Sequence, residues 1–353
     1  MNRAVMPADH PLPETAAPAE GALPVAQAGS LPPGTHDRRA LLMRLLGTYG
    51  TIIVLALMLA IFSVLQPGTF ATIGNFRNII NDMAIGTIVA AGLTVPLVAG
   101  DFDLSIGYVA SFCGLLAVGL LSSGLSIPLA ILLVIALGTI IGVVNGLVVS
   151  KIGVNAFIAT LGTGTIVVGL NYAYSGGIPL QLTQSREFTR IAIGRIAGVP
   201  HLVIIMAVVL ALLWVILNRT VQGQHIKAIG VSPESARRAG VAVDRSRIVA
   251  FAIASTCAAI GGVLMASNLG SGQVTAGDSF MLTSFSAAFL GSAALREGQF
   301  HILGTLIGVL TVAVGNNGLA MIGAPIFTQF LFTGTLLVVA VALGGIGRRF
   351  ARG

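Results

Sequence analysis

NIINDMAIGTIVAAGLTVPLVAGDFDLSIGYVASFCGLLAVGLLSS, residues 78–123, holds two apolar runs of membrane length joined by GDFDLSIG, Gly100 to Gly107. Each run approaches the roughly 20 helical residues needed to cross a hydrocarbon core about 30 Å thick. The joint carries two carboxylates, Asp101 and Asp103, in a chain that is otherwise poor in charge. An ionised group inside hydrocarbon costs roughly 3 kcal/mol on insertion scales, so such residues usually face a polar cavity or a partner. That combination points to a transporter.

Working outward, ten segments approach membrane length, at about 48–66, 78–99, 104–123, 126–149, 154–174, 200–217, 247–267, 280–295, 302–321 and 326–345. The fold class is therefore an all-α polytopic membrane protein. Composition agrees: of 353 residues 55% are hydrophobic and 9% charged, and the mean hydropathy is +0.96. The 45 glycines suit helices that associate through small residues. The net charge of +7 does not indicate nucleic acid, because the basic residues sit at segment ends and in one hydrophilic loop.

Arg38, Arg39 and Arg44 precede the first segment, which places the N-terminus in the cytoplasm by the positive-inside rule. Ten crossings return the C-terminal GRRFARG to the same side. Lys151 and the basic residues between segments six and seven agree, whereas Arg186, Arg190 and Arg195 fall outside and dilute the asymmetry. Cutting the ten into five plus five starts the second half on the opposite face, the arrangement of an inverted-topology repeat. Residues 1–45 read as a Pro/Ala-rich cytoplasmic tail, disordered through about residue 37, with a basic juxtamembrane end. Seven of the chain's 14 prolines lie in that tail. Residues 46–346 form the membrane domain, with a cytoplasmic loop at 218–246, and 347–353 form a basic tail.

The Asp101/Asp103 joint admits three readings: a helix cap in a re-entrant or interfacial turn, direct contact with substrate, or a DxD metal-nucleotide site. The last would require a soluble nucleotide-binding domain, which is missing. Gly100 and Gly107 allow a break in the helix near mid-membrane, and Asp103 is placed to cap the third segment. In the 218–246 loop, Ser232, Pro233 and Glu234 resemble an N-cap, a proline at the first helical position and an acidic first turn, and Gly240 suits a stop. Helical composition makes this loop a docking element for a cytoplasmic partner, the alternative being a basic loop that only orients the chain. Asn316 and Asn317, like Asn145, Asn155 and Asn171, either bind neighbouring helices or face water. Arg296 and Glu297 read as a solvated turn.

The chain has two lysines, Lys151 after Ser150 and Lys227 after Ile226, so it lacks the Gly-Lys of a P-loop and any ATP-driven transport requires another subunit. His10, His36, His201, His225 and His301 show no metal-ligand spacing, no GxSxG occurs, and Cys113 and Cys257 form no paired framework. No catalytic constellation, metal site or bound cofactor is expected in this chain.

These residues resemble the membrane permease subunits of bacterial ABC importers for monosaccharides, the ribose, xylose and arabinose type. GDFDLSIG is similar to that family's GGIDLSVG, with Asp103 on the family aspartate and Asp101 in place of a glycine. Asn155 to Gly177 resembles its FIxTLGxxxxxRGL region, although Val168 stands where arginine is usual. Ala228 to Val241 resembles its cytoplasmic loop at Gly230, Ala236 and Gly240, and Gly304 to Leu319 its ninth span. GSAALREGQF, Gly291 to Phe300, departs from the family's GGTSLxGGxG. The resemblance implies a multi-pass inner-membrane protein that pairs with a second permease copy. It also implies two cytoplasmic ATPase subunits, which bind ATP and magnesium, and a periplasmic sugar-binding protein.

On this reading the ATPases act on Gly230, Glu234, Ala236, Arg237, Arg238 and Gly240. Asp101, Asp103, Thr94, Asn268, Gln273, Asn316 and Asn317 are candidates for the substrate pathway. Rival cargoes are nucleosides, a furanosyl signal or amino acids. A rival class is an ion-coupled secondary carrier with Asp101 and Asp103 as its ion site.

Overall fold

Thr35–Leu65, Ile73–Val98, Ile106–Ser122, Ile127–Leu147 and Ala156–Ser175 form helices α1 to α5 in a computed structural model of the chain. A short amphipathic α6 (Arg186–Ile193) leads to α7 (His201–Arg219), followed by α8 (Val221–Val231) and α9 (Pro233–Arg238). The last four are α10 (Val243–Leu269), α11 (Ser279–Ser292), α12 (Ile302–Met321) and α13 (Phe327–Phe350). The structure describes residues 35–182, 186–294 and 298–350, with side chains between 49 and 342. The expected disordered stretch up to residue 34 and the Arg296–Glu297 turn lie outside the described residues. The contacts divide the chain at Leu41/Leu42, and the unit from Leu42 onward holds the rest of α1 and all of α2 to α13.

Among the described residues, six helices are long and apolar enough to cross a membrane: α2, α4 with its π-helical extension to Ile152, α5, α7, α10 and α12. The remaining four expected segments coincide with shorter apolar helices, Tyr49–Leu65, Ile106–Ser122, Ser279–Ser292 and Phe327–Ala342. Two boundaries move. Helix α1 begins at Thr35, ahead of residue 46, and α13 runs through Phe350, into the stretch expected to be a basic tail. In both places arginines, good helix formers, carry the helix beyond the apolar run.

The centre is built by α2 and α10, which cross antiparallel: Gly92 sits against Ala254 and Cys257, and Gly261 against Val89 and Ile85. Buried residues make up 78% of the apolar window of α2 and 67% of that of α10, but only 22% for α4 and α7. The peripheral helices expose Leu132, Ile140, Ile166, Val208 and Leu212, as a lipid-facing surface requires. Contacts follow an exchange between the halves. Helix α10 packs on α3 and α4, α2 packs on α11 and α12, and α3 with α5 has its counterpart in α11 with α13.

The short helices have a structural cause. Helix α11 begins beside Gly86, halfway along α2, where the Phe280 ring lies 3.7 Å from the position a Cβ would take. Its 14 residues cover about 21 Å. Residues 271–278 reach that point by running back along α3, from Leu115 at Gly272 to Gly107 and Ser111 at Gly277. Helix α3 likewise starts at this level, with Gly107 against the Gly277 carbonyl. Each of these short apolar helices is therefore preceded by an extended segment.

Two small antiparallel ladders close the end opposite α8 and α9. Leu180–Gln181 pairs with Ser271–Gly272, and Arg195–Ile196 pairs with Val199–Pro200 across a turn at Ala197 and Gly198.

Candidate functional site

The extended segment after α2 has alternating faces. Asp101, Asp103 and Ser105 are buried, whereas Gly100 and Phe102 are exposed and Leu104 half-exposed, the period of two that an extended chain imposes. Gly100 makes the turn out of α2 at φ +84°, a conformation that favours glycine. Buried non-helical backbone must find internal partners, and side chains supply them here. The Leu104 N–H donates to Thr160 Oγ1 at 3.0 Å. The Ser105 N–H and hydroxyl donate to Asp103 Oδ1 at 3.0 and 2.6 Å, and Asn145 Nδ2 donates to Ser105 Oγ at 3.0 Å. On the second extended segment the Gly277 N–H donates to Ser111 Oγ at 2.9 Å, and Asn171 Nδ2 donates to the Val274 carbonyl at 3.1 Å. The Ser111 hydroxyl donates to Asp278 Oδ1 at 2.7 Å.

Beneath the first segment lies a polar end built by α8, α9 and the start of α10. Ser232 caps α9 by accepting the Ser235 N–H, Pro233 is its first residue, and Glu234 stands in its first turn. Gly240 ends the turn at φ +83°, with the Val241 N–H returning to the Ala236 carbonyl. Ala236 is buried and anchors α9, while Glu234, Arg237 and Arg238 point outward. Beside them Val231 is 88% exposed. Gly230 presses on the end of α2 so closely that a Cβ would lie 1.9 Å from the Val98 carbonyl oxygen.

Asp244, in the first turn of α10, joins this end to α4 and α9. It takes Lys151 Nζ at 2.9 Å and Arg237 at 3.4 Å. One turn further, Arg247 Nε lies 3.0 Å from Asp101 Oδ2, an ion pair whose side chains are 25% and 7% exposed.

The sequence has relatives among known proteins. The family described as the branched-chain amino acid transport system / permease component matches residues 75–341. The chain belongs to that family. It is 33% identical over 294 residues to the ribose import permease protein RbsC of Haemophilus influenzae, covering 82% of this chain and 91% of the relative. RbsC of Bacillus subtilis is 33% identical over 295 residues, 83% of this chain and 91% of the relative. The galactose/methyl galactoside import permease protein MglC of Escherichia coli is 31% identical over 322 residues, 86% of this chain and 95% of the relative. No solved structure matches significantly. The permease is a multi-pass inner-membrane protein.

The seven pathway candidates do not come together in the permease. Thr94 is buried and shares a 2.7 Å hydrogen bond with Thr305 of α12. Asn317 accepts from Asn75 at 2.9 Å near the start of α2, the far end from Asp101 of a helix about 39 Å long. Asn316, its neighbour, shares that end of α12. Asn268 is exposed at the end of α10, and Gln273 follows on the second extended segment, donating to Ser271. Asp101 and Asp103 are buried: Asp101 pairs with Arg247, and Asp103 accepts from the Ser105 N–H and hydroxyl.

Three local readings are corrected. Ser105, not Asp103, holds the cap position of α3, and Asp103 turns the chain just ahead of it. Gly107 is helical, and its lack of a side chain serves the approach to Gly277. Asn155 caps α5 by accepting the Phe157 N–H at 2.9 Å. Sequence reasoning missed Arg247 as the partner of Asp101, 146 positions away, although an acid in an apolar chain demands one. It also missed Phe102, whose ring packs with Phe285 and Phe289 at centroid distances of 6.1 and 6.3 Å. Alternation in D-F-D-L-S was the available signal.

Proposed function

We propose that this chain is the membrane-spanning permease subunit of an ATP-driven ABC importer that moves a monosaccharide across the inner membrane by alternating access. The observation that carries the reading is the identity with ribose and galactose import permeases along more than four-fifths of the chain. In this reading the chain makes ten crossings with both termini in the cytoplasm, in two inverted halves of five. The exchange of helix contacts between halves and the paired extended segments support that arrangement. A second permease copy, cytoplasmic ATPase subunits holding ATP and magnesium, and a periplasmic sugar-binding protein complete the assembly. The chain itself performs no catalysis.

The α8–α9 end is the ATPase docking surface, with Arg237, Arg238, Glu234 and exposed Val231 as its contacts. An apolar side chain held beside charged ones outside the apolar segments is the pattern of a partner surface. Among the pathway candidates, Asn268 and Gln273 belong to the mouth at the opposite end, where a neutral polyol would find hydrogen-bonding groups. Phe102 adds an apolar ring to the route.

Uptake of labelled pentoses and hexoses into proteoliposomes tests the proposal. Accumulation is expected only when this chain, its ATPase subunit, ATP and the binding protein are all present, and the sugar that accumulates names the cargo. Uptake by this chain alone, lost when an ion gradient is collapsed, would overturn it in favour of a secondary carrier. Uptake of a nucleoside, furanosyl signal or amino acid by the full assembly would keep the machine and change its cargo.

Charge reversal of Arg237 and Arg238 to glutamate is expected to lower uptake at least tenfold, within the 5–150-fold range of coupling free energies. The intramolecular ion pairs of both arginines are exposed, so their loss costs stability at most about 1 kcal/mol. Unchanged uptake per ATP hydrolysed in that variant would remove the docking assignment.

A further inference from the structure

The Asp101–Arg247 ion pair stands where three moving parts would meet. Asp101 opens the extended segment that leads to α3, just after the α2 end on which Gly230 of α8 rests. Arg247 lies in the second turn of α10, a short step in sequence from Gly240 in the turn that follows α9, and its helix carries the Lys151 and Arg237 contacts of Asp244. Both members are thus attached to the α8–α9 element, one by packing and one by chain connection. The Asp101 side chain is almost wholly buried, where an ion pair is screened far less than at the surface. Losing one partner strands the other charge.

We infer that Asp101 and Arg247 form a latch that passes displacement of α8–α9 to the extended segment and half-helix α3, making both positioning residues for transport. The inference rests on the permease reading above. Gly100, at φ +84° with an exposed backbone, is the joint about which the segment swings. With the pair closed, α2, the segment and the start of α10 move as one body. With it open, α8–α9 moves without carrying α3.

A charge-swap series in the complete assembly tests this. Asp101→Asn and Arg247→Gln are each expected to reduce, roughly tenfold, the factor by which loaded binding protein stimulates ATP hydrolysis, with uptake falling in parallel. Arg247→Lys should keep most of the stimulation, since a cation remains. The double variant Asp101→Arg/Arg247→Asp should recover at least part of it, giving a non-additive cycle. Thermal unfolding and co-purification with the ATPase subunit are followed for every variant.

Full stimulation in either neutral variant would overturn the latch. So would loss of stimulation that tracks lost thermal stability or assembly in all variants, swap and lysine forms included, because the pair would then be only structural. Failure of the unmutated assembly to import with ATP would instead show that the permease reading itself is at fault.

Discussion

Gly230→Ala is expected to abolish most import while leaving the chain inserted and folded. The Cβ it adds would lie 1.9 Å from the Val98 carbonyl oxygen, 3.1 Å from the Val98 carbonyl carbon and 3.5 Å from that of Ala99. All three obstacles are backbone, so no rotamer change relieves them. The first distance falls about 1.5 Å short of an ordinary contact of roughly 3.5 Å, and α8 must lift from the end of α2 by a comparable amount. Overpacking of this kind costs about 1–3 kcal/mol, and it falls on a short helix at the edge of the unit rather than on the α2–α10 centre. The displaced element is the proposed receiver of ATPase movement, where a shift of about 1 Å is large. Uptake in proteoliposomes should fall at least tenfold while membrane yield changes little and the thermal midpoint falls by only several degrees. Gly240→Ala is the contrast: φ is +83°, but nothing lies within 4 Å, so it should cost roughly 1 kcal/mol of local strain and far less uptake. Normal import by Gly230→Ala would mean that the α8–α2 contact carries no signal.

The difference between those two glycines could not be read from the sequence, which shows both only as loop glycines. What was legible is what depends on local pattern. Apolar run length located ten segments, and Ser232-Pro233-Glu234 with Gly240 marked α9 correctly, because capping involves residues three to six apart. The extended stretches ahead of the third and eighth segments were only half legible. An apolar run long enough to cross looks the same whether it is one helix or an extended stretch followed by a shorter helix. The extended part betrays itself only through alternation, Asp101, Asp103 and Ser105 on one face and Phe102 on the other. The pathway set scattered because isolated polar residues in a membrane protein have two uses. Thr94, Asn317 and Asp103 are used for packing and backbone support, with partners on other helices or at the helix break. The Asp101–Arg247 pair lay beyond local pattern altogether, although the cost of an isolated buried carboxylate made some cation partner necessary.

The largest effect on folding is expected at Gly262. An alanine there would bring its Cβ to 2.2 Å from the Ala110 carbonyl oxygen, 2.9 Å from the Gly114 amide nitrogen and 3.0 Å from the Ala110 carbonyl carbon. Gly114 faces back with the same intolerance, its own Cβ position lying 2.8 Å from the Gly262 carbonyl oxygen. Lipid offers no hydrophobic drive to hold helices together, so α3 and α10 depend on this close backbone approach and the dispersion it allows. Separating them is not a local matter. Helix α3 is fixed at its start by the reciprocal contact of Gly107 with Gly277, and Gly261 on the adjoining face of α10 receives Val89 of α2. A wedge at 262 therefore loads the α2–α10 crossing and the second extended segment together. The cost should reach about 3 kcal/mol or more, a large share of a marginal stability. Detergent-stable protein should be strongly reduced, and what remains should unfold at a markedly lower temperature. Gly169→Ala on the exposed side of α5, with nothing within 4 Å, should be neutral or gain up to about 1 kcal/mol from helix propensity. Equal thermal stability of the two variants would show that α3 and α10 do not approach as closely as this packing requires.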